Sequence, residues 1–263
     1  MKIKLLLLTI VFGISSVLAN PPAKKRILVY TKNGKGYVHQ NIPFSVEAWK
    51  KIGVEMNLIV DVSDDPAVMN TQNLAKYSCL VFSNTCNAIF DTEEQRQALV
   101  SYIRSGGAFV GVHSASDSEK SWSWYAEMVG GRFKRHPAFQ SFDIRVIDKN
   151  HPSTSMLGET WTKEDECYYM MEFNPNNHVL LAADMRTIKD SEKETYPGRT
   201  FGDYLPLAWC HEFEGGRVFY TALGHDSKDY VDPVFLKHLE GGLLWALGEN
   251  SNESHSKKKI KRK

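Results

Sequence analysis

The sequence predicts an α/β fold: a doubly wound, mainly parallel sheet with helices on both faces. Three observations predict it. Strand-like and helix-like stretches alternate from Arg26 to Ser114. The runs RILVYT, YSCLVFSN and AFVGVHS read as buried strands. Polar clusters stand where those runs break, and in an open α/β sheet the ligand crevice lies outside the carboxyl ends of the parallel strands. With 263 residues, 42% of them hydrophobic, the chain is long enough for one sizeable core.

Taken in order, residues 1–19 carry Lys2 and Lys4, then an apolar stretch from Leu5 to Leu18, with Val17 and Ala19 at cleavage-compatible positions. This reads as a secretory signal peptide and predicts a secreted or periplasmic protein. No later segment approaches the roughly 20 apolar residues of a membrane span. Residues 20–250 read as one domain. In it, RILVYT is followed by the loop KNGKGYVHQNIP, a helix FSVEAWKKIG closed by Gly53, and a second strand VEMNLIVD. After YSCLVFSN comes the clearest helix, DTEEQRQALVSYIRSGG, capped by Asp91 or Thr92 and ended by Gly106. AFVGVHS is the fourth strand. The second half is more irregular, with strands SFDIRVID, HVLLAAD, LPLAWCHEF and GGRVFYTAL and a closing helix PVFLKHLEGGLLWALG.

The net charge of +1 hides an asymmetry. Six cations sit in the final KKKIKRK and two in the leading segment, so the intervening body is acidic and nucleic acid is not the expected partner. Residues 251–263 read as a solvated, disordered tail. The cysteines show no CxxC spacing: Cys79 and Cys210 belong to apolar runs, Cys86 and Cys167 to polar loops, and nothing demands a disulfide.

The loops beginning at Lys32, Ser83 and His113 should converge at the crevice. GVHSAS has the shape of a nucleophile elbow, with Gly111 two positions before His113, but the serine frame fails because Val112 and Ser116 stand where glycines are needed. With His113 at the apex, the place of the nucleophile holds an imidazole, suited to a general base, an electrophile or a metal ligand. FYTALGHDS places His225 at another strand end. Asp165 and Glu166 are adjacent on an extended segment, so at most one faces a given site. His39, His113, His136 and His225 with one acid suffice for acid–base chemistry or for a divalent metal such as zinc, although no pair has HExxH spacing. His113, His136, His225 and Glu166 are the candidate ligands. Trp122, Trp124 and Tyr125 could be core or a stacking surface for sugar rings; Trp209 and His39 are further substrate-binding candidates.

The stretches KNGKGYVHQNIP, GGAFVGVHSA, WYAEMVGGRFKRHP, HPSTSMLGETWTKEDECYY, PLAWCHEFEGGRVFYTALGH and LEGGLLWALG, spread over residues 26–248, together resemble the ThuA-like (trehalose utilisation) family. The resemblance implies a flavodoxin-like fold similar to class I glutamine amidotransferases. Enzymes of that fold hold a cysteine at the elbow; with His113 there, glutamine hydrolysis is not expected, and Cys86, after the third strand, does not restore it. The resemblance further implies disaccharide catabolism by way of 3-keto sugars. Isomerisation or elimination beside a ketone needs a base, a polarising group and an acid for the leaving oxygen. His113, His225 and one of Asp165 or Glu166 would serve, with Trp122, Trp124 and Tyr168 contacting the sugar and His136 beside them. A small-molecule sugar is thus the expected partner; a homodimer fits the family, though the sequence shows no interface for one. Two other readings stand beside this: a non-catalytic carbohydrate-binding or scaffold protein, and a hydrolase using Ser114 or Ser116.

Overall fold

The alternation becomes a half-parallel sheet in the computed structural model, which describes residues 24–198 and 200–249. In chain order the first half comprises β1 (Arg26–Tyr30), α1 (Ile42–Glu55), β2 (Ile59–Ser63), α2 (Thr71–Leu74), β3 (Cys79–Ser83), α3 (Glu93–Arg104) and β4 (Ala108–Val112). The second half adds α4 (Ser123–Val129), β5 (Arg132–Arg135), β6 (Gln140–Val146), β7 (Thr160–Asp165), β8 (Tyr169–Met171), β9 (His178–Asp184), β10 (Tyr204–Phe213), β11 (Gly216–Thr221) and α5 (Pro233–Ala246). The main sheet has nine strands in the order β2-β1-β3-β4-β11-β10-β9-β6-β7, and β5 pairs separately with β8. From β2 to β11 neighbours are parallel; from β11 outward they alternate. Two reversals between β11 and β9, and two more to β7, leave β7 pointing the same way as β1, β4 and β11.

Every residue of β3 and β4 is buried, as strands covered on both faces require. Thr92, not Asp91, caps α3: its hydroxyl accepts from the Gln95 N–H while the Gln95 side chain accepts from the Thr92 N–H, a reciprocal capping box. Helix α1 corrects the sequence reading, since it runs past Gly53 to Glu55 and β2 starts later than expected. Gly53 is there for packing: a Cβ would lie 2.2 Å from Val60 Cγ2. The turn out of α1 is made by Asn57, left-handed at φ 57°.

The antiparallel arm is curled. Strand β7 lies five places from β4, about 24 Å across a flat sheet at roughly 4.8 Å per strand. Yet the residue after β7 touches the residue after β4, as described below. A register slip of β10 against β9 between Pro206 and Trp209 supplies bend and twist.

Among the described residues no helix is long and apolar enough to cross a membrane. The leading segment 1–19 and the tail 251–263 lie outside them. All four cysteines are free and buried; Cys86 and Cys167 are not in solvated loops, because those loops fold against the sheet.

Two core histidines set an acid limit on stability. His238, on α5, is wholly buried, its Nδ1–H donating to the Ser153 carbonyl at 2.9 Å and its Nε2 3.0 Å from the Thr221 hydroxyl. Burial pushes its pKa down to about 4, and burial followed by the His238 charge brings His151 to about 4. An unfolded histidine titrates near 6.5. Between those values the unfolded chain binds a proton that the folded chain does not, so stability falls as pH falls from about 6.5 to 4, by up to about 3 kcal/mol for His238. Melting temperatures across this window are expected to drop with acid, and less so in His238→Gln; a flat wild-type profile would contradict the assignment.

Candidate active site

His113 begins a short 3-10 turn directly after β4, with a left-handed φ of 53°. The elbow geometry is therefore present with an imidazole at its apex. Its Nδ1 lies 2.8 Å from the carbonyl oxygen of Ala222. A carbonyl only accepts, so Nδ1 carries the hydrogen and Nε2 turns its lone pair into the crevice. There it meets His39 Nε2 at 3.1 Å, His225 Nδ1 at 3.3 Å, Glu166 Oε2 at 3.5 Å and the Tyr168 hydroxyl at 2.8 Å. His225 Nδ1 is also 3.1 Å from Glu166 Oε2.

The four partners arrive from far apart in the chain. His39 comes from the loop after β1, His113 from the end of β4, Glu166 from the residue after β7, and His225 from the turn after β11. These strands point the same way, so their carboxyl ends meet at one crevice.

Neighbouring groups fix the orientations. Ser114 Oγ is 3.2 Å from His39 Nδ1, leaving His39 Nε2 to face the cluster. Asp165 lies under the site rather than in it: its carboxylate accepts from the backbone N–H of Glu166 at 2.8 Å, Gly224 at 2.9 Å and His225 at 3.2 Å. Lys163 Nζ is 3.9 Å from Asp165 and hydrogen-bonded to Asp229. From the other side Asn41 Nδ2 donates to the carbonyls of Gly224 at 2.7 Å and His225 at 2.8 Å. The His225 turn is thus clamped by its N–H groups and by its C=O groups.

Charge follows from these contacts. Burial alone would raise Glu166, but the neighbouring imidazoles of His113 and His225 outweigh it and hold the carboxyl well below its usual range. The hydrogen bond to Glu166 raises His225 despite its partial burial. Burial, then the crowding of neighbouring imidazoles, pushes His39 down to about 3, so its imidazole is neutral. Burial and then the Asp165 charge raise Asp229 to about 7 against the pull of Lys163.

The donor set fits a metal. Ligand atoms of His39, His113, Glu166 and His225 all lie within 4.8 Å of one another. Tetrahedral ligation at about 2.0–2.1 Å puts donors about 3.3 Å apart. The separations of 3.1, 3.3, 3.5 and 3.1 Å fall close to that edge. With Nδ1 carrying its hydrogen, the His113 Nε2 lone pair faces a Glu166 carboxylate oxygen that has no hydrogen to donate, an arrangement that a cation held between the four groups would satisfy. The set differs from the expected one in a single member: His39 takes the place of His136, whose Nε2 lies 3.4 Å from the other Glu166 oxygen, Oε1.

Above the cluster opens a pocket of about 370 Å³, lined by Tyr37, His39, Asn41, Phe44, Phe139 and His225 among others. Asn41 Oδ1 is buried and has no hydrogen-bond partner. Of the other residues singled out in the sequence, Tyr168 is brought to the cluster. Trp122, Trp124 and Tyr125 are not. Trp122 stacks on Trp124 and packs against Phe90, Trp124 Nε1 donates to Glu214, and Tyr125 is buried with its hydroxyl on the Ala115 carbonyl. Trp209 is buried and donates to the Val129 carbonyl. Ser114 serves His39, and Ser116 bonds to the Tyr220 hydroxyl. Sequence reasoning missed Asn41, Lys163, Asp229 and the aromatic rim of Tyr37, Phe44 and Phe139. Lys163 did leave a signal, standing two residues before Asp165 and hence on the same face of a strand.

Comparison with known proteins agrees with this architecture. The family model described as ThuA, trehalose utilisation, matches residues 26–246. A ThuA-like protein from Bacteroides uniformis superposes with a TM-score of 0.69 at 20% identity, covering 89% of this chain and 97% of its own. One from Parabacteroides merdae gives 0.68 at 19% identity, covering 87% and 92%. A GMP synthase subunit from Thermoplasma acidophilum gives 0.53 at 11% identity, covering 92% and 100%, in keeping with the glutamine amidotransferase-like fold. No curated protein matches the chain in sequence.

Proposed function

Because the chain belongs to the ThuA trehalose utilisation family, we propose that it is an enzyme of carbohydrate utilisation acting on a disaccharide or 3-keto glycoside, with a divalent metal held by His39, His113, His225 and Glu166. The observation that carries this reading is the convergence of three imidazole nitrogens and one ionised carboxylate on a point at the floor of an open, aromatic-rimmed pocket. When bound, the ion supplies Lewis acidity toward a ketone or leaving oxygen of the sugar.

The chain's own groups do the rest. Tyr37, Phe44 and Phe139 offer apolar ring faces to the sugar. His136, its Nδ1–H on the Pro137 carbonyl at 2.8 Å, turns Nε2 toward Glu166 and is the imidazole beside the cluster that remains free to move a proton. Asp165 and Asn41 keep His225 in place. The signal-peptide character of residues 1–19 supports placing this chemistry in the periplasm or exterior.

The test is elemental analysis of the purified protein, followed by a screen of trehalose, other disaccharides and their 3-keto derivatives with metal-loaded and chelator-treated protein. About one ion per chain and conversion of at least one 3-keto glycoside are expected, with turnover falling at least 100-fold on chelation. Sugar binding by calorimetry without product by mass spectrometry would favour the non-catalytic carbohydrate-binding reading instead.

A further inference from the structure

Beside the pocket over the histidines lies a second opening of different character, about 360 Å³, lined by Pro43, Phe44, Ala48, Tyr230 and Val231, with Glu47 and Lys51 at its edge. Phe44 lines both openings. So do the start of α1 and the 3-10 turn Ser227–Val231, so the two openings adjoin across Phe44 along one furrowed face. Their chemistry is divided. The first presents His39, Asn41, His225 and Asp226; the second presents aliphatic and aromatic carbon. Phe44 is 50% and Val231 72% exposed.

Resting on the reading that the first opening takes the sugar ring, the geometry points to a glycoside with an apolar aryl or alkyl aglycone as the substrate class. The ring sits over His39 and His225, and the aglycone lies on Phe44 between Pro43 and Val231. Each opening is at the lower end of the 300–1,000 Å³ of small-molecule sites, enough for one ring apiece. A second hydroxyl-rich ring in the apolar stretch would exchange water for carbon at hydroxyls that need partners, which is unfavourable. An aryl ring there removes apolar surface from water on both sides. Continuity with the histidine pocket through Phe44 is what assigns the furrow to the far end of the same ligand rather than to another macromolecule.

Titration calorimetry with phenyl and methyl 3-keto-β-glucosides tests this, with turnover and oligomeric state followed on the same samples. The phenyl compound is expected to bind at least tenfold more tightly, and Val231→Asp, at an exposed position, to bring the phenyl-to-methyl ratio close to one. A wild-type ratio below about two, a ratio that survives Val231→Asp, or no measurable binding of either compound overturns the inference. So does a dimer that Val231→Asp dissociates without any phenyl preference, which would assign the furrow to a second copy of the chain. A phenyl preference without conversion upholds the furrow and sinks the catalytic reading; conversion of both compounds without preference does the reverse.

Discussion

His113→Ala protein is expected to retain less than about a tenth of an ion per chain and to lose on the order of 10²–10⁴ in turnover. The magnitude follows from position: His113 Nε2 is the atom within 3.5 Å of a donor from each of the other three members, so its loss removes the centre of the set rather than one arm. The same substitution strips partners from the Ala222 carbonyl and the Tyr168 hydroxyl, and some loss of stability accompanies it. Glu166→Gln separates the two effects. It keeps volume and shape but leaves three neutral imidazoles facing a dication with no compensating negative charge. Metal affinity should fall at least about 100-fold, beyond the 10–100-fold typical of groups that only orient a ligand, with a melting curve close to that of the metal-free wild type. If His113→Ala and Glu166→Gln both keep full metal content and full turnover, the centre has been placed on the wrong residues.

Asp165→Ala is the second large effect, and it should appear first as stability. The carboxylate is wholly buried, accepts three backbone N–H groups and faces Lys163. Removing it leaves those donors unpaired and Lys163 with only Asp229, a group that burial already disfavours as an anion. Breaking a buried charge pair from one side typically costs about 3–5 kcal/mol, and urea unfolding of Asp165→Ala should show a loss of that size. Metal affinity should fall with it, although Asp165 touches no ion, because Asp165 ties the Glu166 backbone to the His225 turn. Asp165→Asn, which keeps one carbonyl acceptor, should lie between. Unfolding of Asp165→Ala within about 1 kcal/mol of wild type would show that the clamp has no energetic weight.

What could be read in the sequence is what depends on local pattern. The apolar runs of β1, β3 and β4 and the cap of α3 are determined by neighbours within a few residues, and they stand where periodicity and capping chemistry put them. His113 and His225 were visible because each follows a strand-like run, and in this fold class such positions converge; Glu166 was visible only as one of an adjacent acidic pair, because β7 was not read as a strand. His39 was harder: it lies nine residues beyond Tyr30, in a loop whose path depends on what it packs against. The aromatic run at Trp122–Tyr125 has the composition of a sugar platform, but α4 faces Phe90, Phe213 and the Ala115 carbonyl, and composition alone does not show which way a helix turns. Asn41 and Asp229 left no signal. Their importance comes from partners 183 and 66 residues away, on the His225 turn and on β7.

The curl of the antiparallel arm has a mechanical meaning. A flat sheet would hold Glu166 and His113 more than 20 Å apart, and the crevice exists because the far edge of the sheet is folded over its own centre. The histidine cluster is therefore a clasp joining the far edge of a bent ribbon to its middle strands, and an ion seated in it would be a rivet. Whatever springs the ribbon open, such as straightening the slipped register near Pro206, would pull the rivet apart without touching any residue that holds it.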